Sequence, residues 1–218
     1  KEKDAYYLRG CVKLYSGDFE GAKQDFDNTM SGDAKNYDRL IQIYEVLVDN
    51  AYKEAGKEYL LQVISDNEKS ISDYDLGRIY YYLEDYENAK DCLLRVKITD
   101  NYEVSLYLGR TYEALGDYNY ASSIYGDYTL NDQSKAEIYN QLALCRMQMV
   151  EYELALMAFQ SGMAIEGNEM MQTLKFNEIV AYEYMGDYTT AAVLMSDYLK
   201  TYPDDTAAQR ENQFLKTR

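Results

Sequence analysis

A small residue recurs along this chain of 218 residues at a spacing of about 34: Ala22, Ala55, Ala89, Ala121, Ala155 and Ala191. A turn-forming triplet precedes each: Gly17-Asp18-Phe19, Asn50-Ala51-Tyr52, Glu84-Asp85-Tyr86, Gly116-Asp117-Tyr118, Val150-Glu151-Tyr152 and Gly186-Asp187-Tyr188. A large residue follows each by one helical turn: Phe26, Tyr59, Leu93, Tyr125, Phe159 and Met195. The fullest copy runs from Leu108 to Tyr125. There Gly116 can take the left-handed conformation that ends one helix, and Asp117 can accept from the free N–H groups that begin the next. Ala121 is small enough for two helix backbones to cross closely. One such hairpin cannot bury its apolar face alone, but a stack of them can. The chain is therefore predicted to be a run of helix pairs.

This period, with its Gly-Asp-Tyr turn and Ala-x-x-x-aromatic spacing, resembles the tetratricopeptide repeat. The resemblance implies an all-α, right-handed solenoid that forms a single domain over residues 1–218. Six repeats are expected at about 3–34, 36–68, 70–100, 102–134, 136–168 and 172–203, then a capping helix within 204–216, running from about Thr206 to Lys216. Ser31-Gly32-Asp33 and Ile98-Thr99-Asp100-Asn101 read as links between repeats, and the single proline, Pro203, stops the last hairpin. The second repeat diverges most. Asn50-Ala51 stands in place of Gly-Asp, and its first helix (Leu40, Ile41, Ile43, Tyr44, Val46, Leu47, Val48) is apolar nearly all round. Such a helix is buried on several sides, by neighbouring repeats or by a partner.

Charge and residue usage exclude several functions. With 38 acidic against 22 basic residues the net charge is −16, and no basic face or Lys/Arg run offsets it. Nucleic acid and an anionic membrane surface are therefore not expected partners. No segment approaches the roughly 20 apolar residues that span a bilayer. The absence of histidine removes Ser–His and Cys–His nucleophile pairs and most catalytic zinc sites. Cys11, Cys92 and Cys145 are scattered over three repeats and read as small buried hydrophobes rather than as a disulfide framework or a metal set. No phosphate loop or calcium loop is present. No catalytic residue, cofactor or metal is expected. The chain opens on Lys1, and its Tyr/Asp/Asn-rich repeats resemble exported bacterial lipoprotein ectodomains. The expectation is a trimmed signal segment and an extracytoplasmic rather than cytoplasmic location.

The resemblance also implies where partners sit: the concave groove lined by the first helix of each repeat. Groove positions fall on Tyr74, Asp75, Arg78, Tyr81 and Tyr82 in the third repeat and on Glu103, Leu106, Tyr107, Arg110 and Glu113 in the fourth. They fall on Asn140, Gln141, Leu144, Met147 and Gln148 in the fifth, and on Phe176, Asn177, Val180, Glu183 and Tyr184 in the sixth. Arg78 and Arg110 share a repeat position, which makes them neighbours that can hold a carboxylate or stack on aromatic rings. The alternative is a pairing at one helical turn with Asp75 and with Glu113. Of 26 tyrosines, residues such as Tyr80, Tyr112, Tyr152 and Tyr188 occupy packing positions, whereas Tyr74, Tyr81, Tyr82, Tyr107 and Tyr184 are surplus to packing. Exposed tyrosine is typical of recognition surfaces.

Asn140 and Asn177 resemble part of the clamp with which some members of the family hold chaperone tails, but the clamp's lysines are missing. The candidate groove is thus Tyr74, Arg78, Tyr81, Tyr82, Tyr107, Arg110, Asn140, Met147, Asn177 and Tyr184. The expected function is a non-catalytic scaffold for an extended peptide or protein segment. The alternatives are a self-association module of a larger or membrane-anchored assembly and, more remotely, a small-ligand receptor or enzyme.

Overall fold

The computed structural model describes residues 2–96 and 101–218. Among the described residues there are thirteen α-helices and no strand. Twelve helices form hairpins: α1–α2 (Glu2–Tyr15, Phe19–Met30), α3–α4 (Tyr37–Asp49, Lys53–Asn67), α5–α6 (Asp73–Tyr82, Tyr86–Arg95), α7–α8 (Tyr102–Ala114, Tyr118–Asn131), α9–α10 (Ala136–Gln148, Tyr152–Met163) and α11–α12 (Met171–Tyr184, Tyr188–Thr201). The last helix, α13, is Thr206–Leu215, close to the predicted bounds. The expected link Ile98-Thr99-Asp100 lies outside the described residues. Contacts gather into two compact units, Lys1–Lys97 and Ile98–Arg218.

The hairpin turn has one backbone solution throughout. Gly17, Gly116 and Gly186 are left-handed at φ 85°, 81° and 79°, and Ala51, Glu84 and Val150 take the same conformation at 68°, 65° and 63°. Where aspartate follows, its carboxylate caps the second helix: Asp18 accepts from Gly21 N–H, Asp85 from Asn88, Asp117 from Tyr120 and Asp187 from Thr190. Tyr52 and Glu151 supply no such cap. Val150 combines a β-branched side chain with a positive φ and is 67% exposed, so it gains little packing in return. Val150→Gly is expected to raise stability by up to about 1 kcal/mol, read as a higher urea midpoint.

Packing follows the repeat. Phe26, Leu60, Leu93, Tyr125, Phe159 and Met195 stand at one repeat position, and each is 0% exposed. In three hairpins the facing residue is glycine because nothing larger fits. A Cβ would come within 2.6 Å of Phe26 at Gly10, 2.6 Å of Leu93 at Gly77 and 2.3 Å of Tyr125 at Gly109.

The second repeat departs from the expected register by one residue. The small residue at the helix crossing is Gly56, which is buried, and not Ala55; the buried side chain one turn on is Leu60, and not Tyr59. The cause is Tyr44, which occupies the place of Gly10 and Gly77. A Cβ at Gly56 would lie 3.0 Å from the Tyr44 ring, so bulk has moved from one helix to the other. Tyr59 instead bonds the preceding repeat, its hydroxyl donating to Asp27 Oδ1 at 2.6 Å. Helix α3 is covered by its neighbours: Ile43, Val46 and Leu47 pack with Leu14 and Phe26, while Leu40 and Tyr44 pack with Leu60, Leu76 and Ile79.

In the second unit each second helix packs on the first helix of the next repeat, α8 on α9 and α10 on α11, and α13 closes on α12. Ala208 and Leu215 of α13 are buried with Ile179, Met195 and Tyr198, while its other face stays polar.

One buried charge stands out in the first unit. Asp25 is 1% exposed and accepts from Arg9 Nε at 2.8 Å, with Lys13 Nζ at 2.9 Å. The Arg9 hydrogen bonds hold its carboxyl down at about 2, against the opposing effect of burial. The folded value lies below the unfolded one, so the stabilisation is complete above about pH 5 and is lost as pH falls through about 2. Asp25→Asn should therefore lower the melting temperature at neutral pH, and the gap to the parent should close as pH approaches 2.

Candidate functional site: the face of the first helices

Within each unit, side chains join neighbouring first helices. In the first unit Arg78 on α5 donates to Asp38 on α3 at 2.7 Å, has Asp75 at 3.6 Å, and lies 5.1 Å from the centre of the Tyr74 ring. The Tyr82 hydroxyl donates to Glu45 on α3 at 2.7 Å. The Tyr82 ring meets Tyr44 and Tyr81 edge-on at 5.4 and 5.5 Å. Tyr74 with Arg78 and Tyr81 with Tyr82 are thus two linked pairs on α5; the tyrosines are half-buried, whereas the Arg78 side chain is only 11% exposed.

In the second unit Arg110 on α7 donates to Glu137 on α9 at 2.6 Å, and Tyr102 donates to the other oxygen of Glu137. Asn177 on α11 donates to Asn140 on α9 at 2.8 Å, and Asn140, 4% exposed, donates to Gln141 at 3.1 Å. Met147 packs half-buried against the Phe159 and Leu174 cluster, and Tyr107 is half-buried on α7. Tyr184 is 66% exposed, its ring stacked 6.1 Å from Tyr152. Both arginines reach acids of neighbouring repeats. Repeat spacing exposes neighbours within a helix, which is why Asp38 and Glu137 were not legible as partners.

Glu113 has a different role from its groove position in the repeat. Its carboxyl accepts from the buried Tyr125 hydroxyl and from Gln141 at 3.4 Å, and burial pushes it up from the usual carboxylate range. The signal was available in the sequence. Tyr125 is a tyrosine where the other hairpins carry Phe, Leu or Met, and a buried hydroxyl needs a partner.

Glu183, at the equivalent position on α11, is pushed up to about 7 by burial and by Glu211 on α13. Its folded value exceeds the unfolded one, so the stabilisation holds when Glu183 is protonated and is lost as pH rises through about 7. Hydrogen exchange in α13, corrected for intrinsic rates, should accelerate as pH rises from about 5 to about 7 and level off above that. Glu211→Gln should reduce that acceleration, leaving the part that burial causes.

At the end of this face, where α11, α12 and the start of α13 meet, lies a cavity of about 260 Å³ lined by Gln172, Thr173, Phe176, Asn177, Tyr198, Asp205 and Ala207. Among the described residues no group of three or more His, Cys, Asp or Glu could hold a metal ion, and no helix is long and apolar enough to cross a membrane.

Two stretches match family models, each described as a tetratricopeptide repeat: residues 74–97 and residues 176–205. No curated protein sequence matches the chain. Among solved structures, a thermophilic tetratricopeptide-repeat protein of Thermus thermophilus aligns at 16% identity and TM-score 0.60, over 99% of this chain and 100% of that one. PilF of Pseudomonas aeruginosa aligns at 18% identity and TM-score 0.57, over 97% of both chains. YrrB, described as a tetratricopeptide-repeat protein with an unusual peptide-binding site, aligns at 17% identity and TM-score 0.58, over 86% of this chain and 97% of that one. At these identities the likeness is one of fold. Built from six hairpins of one construction, two of them matched by models of the repeat, this chain is a tetratricopeptide-repeat protein.

Proposed function

We propose that the protein is a non-catalytic scaffold that holds an extended peptide or protein segment against the face of its first helices. The observation that supports this reading is aromatic surface that packing leaves partly open on the first helices. Tyr184 is 66% exposed, and Tyr74, Tyr81, Tyr82, Tyr107 and Phe176 are half-buried on the same helices. Such side chains offer large contact area at low cost in conformational entropy. The shared fold of YrrB illustrates that an array of this kind can carry a peptide site.

The test uses dodecapeptides selected from a random displayed library, with binding measured by calorimetry. Tyr184→Ala and Tyr107→Ala, both in the second unit, are each expected to weaken binding about tenfold, close to 1.4 kcal/mol. Leu130→Ala, on the second helix α8 where Leu130 is 80% exposed, is expected to leave it unchanged. Equal losses at all three positions would sink the reading.

A second reading, pairing of two copies, has one observation in its favour. Leu8, Val12 and Tyr15 follow the spacing of a coiled-coil seam on α1 and are 63%, 67% and 70% exposed. Light scattering decides it: a monomer at high concentration removes the idea.

A further inference from the structure

We propose that the cavity between α11, α12 and α13 takes a lysine or arginine side chain of the bound segment; this rests on the scaffold reading above. Its walls sort by chemistry. Phe176 and Tyr198, edge-on at 5.8 Å, supply aromatic surface. Three of the polar donors around it are already directed at protein acceptors. The Tyr198 hydroxyl donates to Asp205 Oδ2 at 2.6 Å, Gln172 Nε2 donates to the same oxygen at 3.3 Å, and Asn177 Nδ2 donates to Asn140. The amide oxygens of Gln172 and Asn177 and the carboxylate of Asp205 remain as acceptors.

Asp205 decides the sign of the ligand. Its Oδ1 accepts from Ala207 N–H and Ala208 N–H, both at 3.0 Å, so all four of its hydrogen-bond partners are neutral. Satisfying the carboxylate in this way holds it ionised without cancelling its charge. The start of α13 offsets only about half an elementary charge. The same two bonds occupy the N–H groups that would otherwise attract an anion, and an anionic ligand would also face Asp205 directly.

A cationic head reaches the amide oxygens and Asp205, while its aliphatic stem lies on Phe176. At about 260 Å³ the cavity falls below the roughly 300–1,000 Å³ of sites for whole small molecules and suits a single side chain. A net charge of −16 draws a basic segment toward the face from a distance.

The experiment takes the tightest dodecapeptide from the random library and measures it by calorimetry beside its citrulline-for-arginine and norleucine-for-lysine forms. Asp205→Asn removes the charge while keeping a competent helix cap. Asp204→Asn removes the same charge from the exposed neighbouring residue. Selected peptides are expected to carry Lys or Arg. One neutralised position, and Asp205→Asn, should each weaken binding at least tenfold, and Asp204→Asn less than twofold. If the bound peptides lack basic residues, or if the two Asn variants behave alike, the pocket assignment fails while the scaffold reading stands. If no peptide of any charge binds, both fail.

Discussion

Replacing Gly109 by alanine is expected to lower stability by about 1–3 kcal/mol, seen as a reduced urea midpoint with unchanged denaturant dependence. A Cβ at Gly109 would sit 2.3 Å from both Cε1 and Cζ of Tyr125. That ring has nowhere to retreat: it is 0% exposed, and its hydroxyl is tied to Glu113. The better helix propensity of alanine, worth about 1 kcal/mol, acts in the opposite direction and is outweighed by the clash. Gly126 provides the control on the partner helix α8. Nothing lies within 4 Å of a Cβ there, so Gly126→Ala should raise stability by about 0.5–1 kcal/mol. Equal gains at both positions would mean that α7 and α8 do not cross closely.

Phe159→Ala is expected to cost about 3–5 kcal/mol, the largest effect of any single substitution considered. Phe159 is 0% exposed and packs with Ala143, Leu174 and Ala181, joining three successive helices of the second unit. Small neighbours cannot expand to fill the space it would leave. Two residues away on the same helix, Met157 is 63% exposed, and Met157→Ala should stay within about 0.5 kcal/mol of the parent. Chemical denaturation of both variants checks the contrast, since it holds the helix constant and varies only burial.

These contrasts show why the fold was legible in the sequence and much of the site was not. The left-handed turn, the aspartate cap and the Ala-to-aromatic spacing are local requirements, so each leaves a mark at fixed positions: Gly116, Asp117, Ala121 and Tyr125. The second repeat escaped that logic because its requirement is shared between helices. Tyr44 and Gly56 exchange bulk across the crossing, and neither residue alone signals it. Pairings between repeats left still less trace. Arg78 with Asp38, Arg110 with Glu137 and Asn177 with Asn140 join residues far apart in sequence, and their geometry depends on how successive hairpins stack. The same holds for the cavity beside Asp205. The sequence marked Phe176 and Asn177 as groove positions, but not that they line one space with Tyr198 and Asp205.

The central proposal is that partners bind the first helices, and hydrogen exchange of the protein with and without a selected dodecapeptide tests it most directly. Slowed exchange should concentrate in one or more of α5, α7, α9 and α11, with α6, α8 and α10 little changed. Slowing confined to those second helices would contradict it.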